Sequence, residues 1–407
     1  MIIKSNSIIL AADSSPAFVN SGVYSNNKNN IYPLSFVQNL SFDIPNSRAR
    51  MKQVSSQNFA YDSLQFSPVI SLSFDFISSQ EFLNENFLGL FFAPTESYKS
   101  VLNRANEFSC NLYFIISDDH PYDLIYKIKN QGNLNGFNSW SFGNCVLKNY
   151  ATSLTAGSLP QTSVTLEAVN TQMQIISNDS INCPAINLAV GNQQNIANIK
   201  INNSDFISNL SELNTSLTGQ PILPTYNARV FDLSNTNIES PSIIIESGNN
   251  SAITALNFSI DFDRENSYGF GSDYVYDSKI KFPLLGTLDI EAVAFGLTSG
   301  SDGSLTGLMT TESGYIVDIS ASGLVNSNDI RISGAKLQSH SYTLDLTNNL
   351  TAKFSFSFQA NETQGLLQKW QQNINLSSGQ LFTFDSLGIK SSDGSGIKSS
   401  DDYYFQS

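Results

Sequence analysis

The chain has 407 residues, of which 14% are charged, and its 21 basic and 35 acidic residues give a formal net charge of −14 at pH 7. A protein that holds nucleic acid needs clustered Lys and Arg to displace phosphate counterions, so this balance argues against stable binding of DNA or RNA. No window approaches the ~18 consecutive apolar residues of a membrane-spanning helix, and we expect no membrane partner.

The first 30 residues are polar and rich in Asn, and we expect them to form an N-terminal arm. Their apolar run, Ile8-Ile9-Leu10-Ala11-Ala12, is shorter than the ~7 to 15 residues of the apolar region of a secretion signal. We therefore expect the protein to be made and assembled in a cytoplasm.

One strand pattern occurs twice, about half a chain length apart. The segments 40–44 (Leu-Ser-Phe-Asp-Ile) and 258–262 (Phe-Ser-Ile-Asp-Phe) both alternate apolar and polar residues, and each precedes a Tyr-Asp-Ser triplet, a proline and another alternating strand. Period-two alternation places apolar side chains on one face of a sheet and polar side chains on the other. The repeat predicts two tandem β domains, at 31–180 and 240–360, each with one buried sheet face.

The ends of the two domains correspond as well. Residues 142–168 contain two alternating strands around the turn at 156–160, and residues 330–358 contain two more around Asn348-Asn349. Each domain is therefore expected to close with a pair of antiparallel strands.

The remaining segments differ from the β domains in composition. Residues 181–239 are rich in Asn and Gln and are predicted to form an insertion or linker, and residues 361–407 a C-terminal helix and repetitive tail. The repeated Gly-Ile-Lys-Ser-Ser-Asp of the tail has too little apolar surface to fold alone. Short helices are predicted at 79–90, 98–108, 205–213 and 364–374.

The inventory of chemically active residues is small. Cys110, Cys145 and Cys183 cannot all pair, so they do not indicate a disulfide framework. The segment 118–123 (Asp-Asp-His-Pro-Tyr-Asp) has carboxylates and an imidazole that can bind a divalent cation, but the same residues favour a solvated turn. We predict no catalytic, cofactor-binding or metal-binding residues and no enzymatic activity.

Two stretches resemble a known family. The run from Phe142-Gly143-Asn144-Cys145 through the turn at 156–160 to 163–167 resembles the closing hairpin of tail tube (major tail) proteins of long-tailed bacteriophages. The run from 256–260 through Gly271, Tyr276 and Pro283 resembles their opening strands. The resemblance implies a mainly β fold of two tandem sandwich-type domains, each with a short helix, which oligomerise into a ring with a β-barrel lumen.

The family forms a virion tail tube of stacked rings through which the genome passes. In this family a ring contains six tube domains. Because this chain has two such domains, the resemblance implies a trimer with pseudo-sixfold symmetry, and a hexamer remains open. It also implies contacts with a tape-measure protein and with tail terminator or baseplate proteins, and transient passage of double-stranded DNA without specific binding. The acidic charge suits such a conduit, although it also suits an ordinary soluble surface.

Alternation assigns specific residues to the lumen and to the core. Ser41, Asp43, Ser259 and Asp261 are predicted to face the lumen, with Phe42, Ile44, Ile260 and Phe262 in the core. The polar segments 45–60 and 263–274 are predicted to be loops that reach the next ring, or else ordinary hairpin loops. The candidate contacts in these loops are Arg48, Arg50, Lys52, Arg264 and Glu265.

Other functions remain open at this stage. The duplication, the Asn- and Gln-rich middle and the repetitive tail would also suit a tail hub or neck component present as one ring. A virion-surface adhesin or decoration protein of β-sandwich type is a second class of alternative. A glycoside hydrolase is a third, because its two carboxylates can come from any part of a fold, although no pair is selected here.

Overall fold

The computed structural model describes 22 strands together with some of the turns between them. The described residues are 8–13, 31–34, 36–45, 48–52, 59–64, 69–77, 84, 88, 110–116, 134–177, 180–182, 200–202, 226–232, 243–246, 251–268, 274–281, 283–294, 315–321, 329–343, 351–360 and 383–385.

The described part of the chain is mainly β, as predicted. Its strands in chain order are β1 Ile8–Asp13, β2 Ile31–Pro33, β3 Val37–Asp43, β4 Arg48–Lys52, β5 Phe59–Leu64, β6 Ile70–Ile77, β7 Cys110–Ile116, β8 Asn138–Thr155, β9 Gln161–Ala168, β10 Asn170–Ile175, β11 Ser180–Asn182, β12 Lys200–Asn202, β13 Tyr226–Asp232, β14 Ile243–Glu246, β15 Ser251–Asp261, β16 Arg264–Tyr268, β17 Val275–Ile280, β18 Leu284–Ala294, β19 Tyr315–Ala321, β20 Asp329–Thr343, β21 Thr351–Ala360 and β22 Thr383–Asp385.

The internal repeat extends to the pairing of whole strands. We call β1–β10 unit 1 and β13–β22 unit 2. In unit 1, β1 pairs with β2 and β7, β7 with β8, β8 with β9 and β10, β9 with β6, and β6 with β3. Unit 2 has the same pairings between the corresponding strands, and β11 pairs with β12 between the units. One difference is that β10 runs antiparallel to β8, whereas β22 runs parallel to β20.

Alternating side chains explain why these segments form half-buried strands. The apolar residues of β6, β9 and β21 are buried at every second position, and the polar residues between them are more exposed. The core therefore consists mainly of aromatic and aliphatic side chains from one face of each strand. Its largest fully buried members are Tyr113, Tyr150, Phe74, Phe76, Phe142, Phe258, Phe262, Phe354, Phe356 and Phe358.

The long strand β8 belongs to two layers of a sandwich. Its first part, near Phe142, pairs with β7 and β10, and its later part, near Tyr150, pairs with β9. The change occurs at Asn144, which has a φ of 53° and whose backbone N–H donates to Asn111 Oδ1 at 3.0 Å. Asn tolerates this left-handed conformation better than most residues. Across the two layers, the ring of Phe42 lies 4.3 Å from that of Trp140, centroid to centroid.

The two units are joined in one sheet. Strand β8 of unit 1 pairs antiparallel with β15 of unit 2, with Leu154 opposite Leu256 and Tyr150 opposite Ile260. The result is a continuous run of eight antiparallel strands in the order β3-β6-β9-β8-β15-β18-β21-β20. We call the pairing between the units the β8·β15 junction. It joins the last strand of one four-stranded block to the first strand of the next.

Some segments predicted to be irregular contain strands. Strand β1 lies within the predicted arm 1–30 and pairs with β7 along its whole length, because its apolar run is a strand of the fold. Strand β13 lies within 181–239 and occupies the place in unit 2 that β1 has in unit 1. Of the predicted helices, only 79–90 contains described residues, and there the Leu88 N–H donates to the Asn84 carbonyl in a helical hydrogen bond of 2.8 Å. The others lie outside the described residues.

Candidate assembly surface

One face of the eight-stranded sheet is polar, and we call it the polar face. Its acidic residues recur at the same positions in the two units: Asp43 of β3 corresponds to Asp261 of β15, and Asp75 of β6 corresponds to Asp289 of β18. The correspondence follows from the registers, since Leu40 lies opposite Phe74 just as Phe258 lies opposite Leu288. The polar face therefore carries the same acidic pattern twice.

Acidic side chains outnumber basic ones on the polar face. The described acidic residues there are Asp43, Asp75, Glu167, Asp261, Asp289 and Glu291, and the described basic residues are Lys148, Lys336 and Lys353. Lys148 forms an ion pair with Glu167, and Lys353 Nζ lies 2.9 Å from Glu291 Oε2. The four aspartates remain as the repeated acidic feature of this face.

Hydroxyl and amide side chains link neighbouring strands of the polar face. Asn39 Nδ2 donates to Asp75 Oδ2 at 3.0 Å, and the hydroxyl groups of Ser73 and Thr165 lie 3.0 Å apart. A concavity of about 330 Å³ lies over the β8·β15 junction. It is bordered mainly by polar residues, among them the two aspartates Asp75 and Asp289.

The structure places the four residues predicted to face a lumen together on the polar face. Ser41, Asp43 and Asp261 are exposed, and the hydroxyl of Ser259 lies 2.8 Å from that of Thr287. Asn149 Nδ2 of β8 donates to Asp261 Oδ1 across the junction. Asp75 and Asp289 were not among the predicted site residues, although alternation with Phe74 and Phe76, and with Leu288 and Ile290, places them on this face.

The predicted core residues lie on the opposite face. Ile260 and Phe262 are buried, whereas Phe42 and Ile44 are half-buried and pack against the edge of the core. This difference between the units arises because β15 has neighbours on both sides, whereas β3 has one neighbour among the described strands.

The segments predicted to be loops that reach the next ring form two-stranded ribbons. Strand β4, which contains Arg48, Arg50 and Lys52, pairs with β5, and β16, which contains Arg264 and Glu265, pairs with β17. The β-forming residues in these polar segments, such as Phe59 and Tyr61, allow an extended ladder. Both units thus carry a ribbon in the same place, between their first and second sheet strands.

Arg264 is partly buried and bonds to its own chain. Its Nε donates to the Leu147 carbonyl at 2.8 Å and its Nη1 to the Ser278 carbonyl at 3.0 Å, which ties the base of the β16–β17 ribbon to β8. Burial lowers the pKa of Arg264 to about 10, and the nearby Glu167 opposes this shift. The guanidinium therefore stays charged at neutral pH. Glu265, the next residue, is exposed.

We expect the Arg264→Met substitution to loosen this ribbon. It removes both donors from the Leu147 and Ser278 carbonyls. Hydrogen bonds that involve a charged group contribute about 1.5–3 kcal/mol each, so we expect the substitution to cost roughly 3 kcal/mol or more. Limited proteolysis should cleave the ribbon faster in Arg264→Met than in the matched control Glu265→Gln. Equal cleavage rates would show that Arg264 does not hold the ribbon.

The described residues contain no group of three or more His, Cys, Asp or Glu side chains placed to hold a metal ion. The candidate cation-binding segment 118–123 lies outside them. His340 packs its ring edge-on against Tyr342, with centroids 5.5 Å apart. Within the same residues, no helix is both long and apolar enough to cross a membrane.

Several chains of solved structures resemble part of this chain. No protein-family model and no curated protein matches the chain. A chain of a solved assembly, described as "Cryo-EM structure of the anti-feeding prophage (AFP) baseplate, 6-fold symmetrised", matches 44% of this chain and 98% of its own length, with 11% identity and a TM-score of 0.22. A function for this chain must therefore be inferred from its own residues and geometry.

Proposed function

We propose that this protein is a structural component of a bacteriophage virion that forms the tail tube, a conduit of stacked rings for passage of the genome. The observation that carries the proposal is the head-to-tail joining of two like units at the β8·β15 junction. If separate copies are joined in the same way, each added copy continues the sheet and is rotated in the same sense relative to the copy before it. A head-to-tail interface of this kind generates a closed ring when its rotation closes.

The sheet has a size that suits a conduit for DNA. Three copies of the eight-stranded run would supply 24 strands. At about 4.8 Å between strands, such a barrel has a circumference of roughly 115 Å and a backbone diameter of about 37 Å, which strand tilt widens further. A DNA duplex fits within this opening. Three copies, each with two units, give the pseudo-sixfold ring expected from the sequence resemblance.

The charge of the polar face also supports the proposal. If this face lines the opening, each copy contributes its four repeated aspartates, and the wall repels the phosphate backbone of DNA. Binding to DNA is dominated by release of counterions from phosphates by Lys and Arg, so an acidic wall lets a duplex move without adhering. The role is structural rather than enzymatic. Contacts with a tape-measure protein and with terminator or baseplate proteins belong to the same proposal.

Negative-stain electron microscopy of the purified protein over a range of concentrations tests the proposal. We expect hollow tubes, or rings that stack as concentration rises, with three chains in each ring. Single rings that never stack would contradict the tube and favour a hub or neck component. A discrete particle with no opening would favour an adhesin or decoration protein.

A further inference from the structure

Each end of the eight-stranded run is a strand edge that no other described strand covers. Strand β3 pairs with β6 on one side, and residues 336–343 of β20 pair with β21 on one side. The neighbours β19 and β22 pair with β20 only through residues 329–335. Among the described residues no strand covers the second side of β3 or of 336–343. Exposed edges of this length promote pairing with another chain.

The apolar residues of β3 are more exposed than the corresponding residues of β15, as expected for a strand that lacks a neighbour on one side. Four apolar residues in or next to β15 are at most 1% exposed, namely Leu256, Phe258, Ile260 and Phe262, whereas their counterparts in or next to β3 are half-buried. The corresponding pairs, β3 residue first, are Val37 and Leu256, Leu40 and Phe258, Phe42 and Ile260, and Ile44 and Phe262.

The edge of β20 shows the same deficit when it is compared with β8. Leu154 is 7% exposed beneath β15, whereas Tyr342, at the corresponding position of β20, is 41% exposed. Tyr150 is buried, and its counterpart Leu337 is only partly buried. Both edges of the chain therefore expose the apolar residues that the β8·β15 junction covers inside it.

We propose that the edge of β20 in one copy pairs with β3 of a second copy in the register of the β8·β15 junction. The inference deepens the proposed tube function, and it rests on that function only for the number of copies in a ring. Transfer of the junction register to the two edges predicts six pairs, with the β3 residue of the neighbouring copy given second: Lys336 and Asp43, Leu337 and Phe42, Ser339 and Ser41, His340 and Leu40, Ser341 and Asn39, Tyr342 and Val37.

The polar residues of the two edges are complementary in this register. Inside the chain, Asn149 of β8 donates to Asp261 of β15. Lys336 stands at the position of Asn149, and Asp43 at that of Asp261, so an ion pair between copies takes the place of the internal amide–carboxylate bond. The junction between copies is thus sensitive to salt in a way that the junction inside the chain is not.

A second pair of polar residues supports the same register. Ser153 Oγ donates to Asn257 Oδ1 at 2.6 Å inside the chain. Ser341 and Asn39 occupy the corresponding positions, and Asn39 donates from its Nδ2 to Asp75, which leaves its Oδ1 to act as the acceptor for Ser341 of the other copy. The occupant of each edge is therefore the opposite edge of an identical chain.

Cysteine cross-linking tests the register. In a Cys183→Ser background, the pair Ser339→Cys and Ser41→Cys should form disulfides between copies, because directly opposed residues have Cβ atoms about 4.5–5.5 Å apart. We expect a covalent trimer as the largest product on a non-reducing gel. The control pair Ser341→Cys and Ser41→Cys is shifted by two residues, and we expect the covalent trimer to be lost. Equal cross-linking of the two pairs, or none with the first, would overturn the proposed register.

Charge exchange tests the ion pair. K336D or D43K alone places like charges opposite each other and should raise the concentration needed for ring formation roughly tenfold or more. K336D with D43K in one chain should restore assembly, and K353D, whose partner Glu291 is in the same chain, should leave it unchanged. Circular dichroism checks that each variant folds. If a charge variant misfolds, the cysteine pairs still test the register, because Ser→Cys is a small substitution.

The outcomes separate this inference from the proposed function. Covalent rings in the predicted register that never stack would support the junction and overturn the tube. Tubes that form without in-register cross-links, and that do not respond to the charge exchange, would support the tube and overturn the junction.

Discussion

Replacement of Gly286 by leucine is expected to lower the free energy of unfolding by about 1–3 kcal/mol, the usual cost of overfilling a packed core. Gly286 lies opposite Phe358 on β21, and a Cβ atom at this position would come within 3.0 Å of three carbon atoms of that ring. The Phe358 ring is fully buried and also stacks on Phe258, with an interplanar angle of 7°. Any shift of the ring away from an added side chain would disturb this stacking.

The matching site in unit 1 supplies a rescue experiment. In unit 1, Leu72 corresponds to Gly286 and Leu166 corresponds to Phe358. Leu72 and Leu166 lie opposite each other, as Gly286 and Phe358 do. Gly286→Leu combined with Phe358→Leu recreates this Leu–Leu pair in unit 2. Phe358→Leu alone should destabilise the protein by roughly 1–2 kcal/mol, because it leaves a cavity above Gly286.

Thermal denaturation of the four proteins measures the coupling between the two sites. The double variant should lose less stability than the sum of the single variants, by about 0.5–3 kcal/mol, as for other residues in direct contact. Gly286→Ala is the graded control and should lie between the wild type and Gly286→Leu. Additive losses would mean that glycine and phenylalanine are not matched to each other at this site.

Alternation in the sequence was sufficient to predict the faces of the sheet. Ser41 and Asp43 lie on the polar face and Ile260 and Phe262 in the core, because side-chain direction in a strand depends only on the local period. The duplicated closing strands were predicted for the same reason. What the local pattern could not supply was the partner of each strand.

The segments 40–44 and 258–262 illustrate this limit. Their patterns are nearly identical, yet β15 lies in the middle of the sheet and β3 at its edge. The difference depends on which strand pairs with β8, and this is decided by contacts between residues far apart in the sequence, such as Asn149 and Asp261. Arg264 shows a related limit. An arginine in a polar segment was predicted to be a surface contact, and only the fold brings the carbonyls of Leu147 and Ser278 to its guanidinium.

Introduction of lysine at Asp75 and Asp289 is expected to convert a wall that repels DNA into one that retains it. Both residues lie on the polar face beside the concavity over the β8·β15 junction, and neither belongs to an edge strand. D75K removes the Asn39–Asp75 hydrogen bond, but the backbone pairing between copies does not depend on it, so rings should still form. The double substitution makes each chain more positive by four charges, and a three-chain ring gains six lysines. Assembled D75K/D289K protein should bind a linear DNA duplex, whereas the wild type should show no binding at physiological salt.

The salt dependence and the topology of the DNA show where such binding occurs. If six phosphates are neutralised, affinity should fall by about a thousandfold between 50 and 200 mM salt, which fluorescence anisotropy with a labelled duplex can measure. D75N/D289N removes the same acids without adding cations and should bind far more weakly. Linear DNA can thread a closed ring, but covalently closed circular DNA cannot. Equal binding of circular and linear DNA to D75K/D289K would therefore place Asp75 and Asp289 on an outer surface and contradict a lumen lined by the polar face.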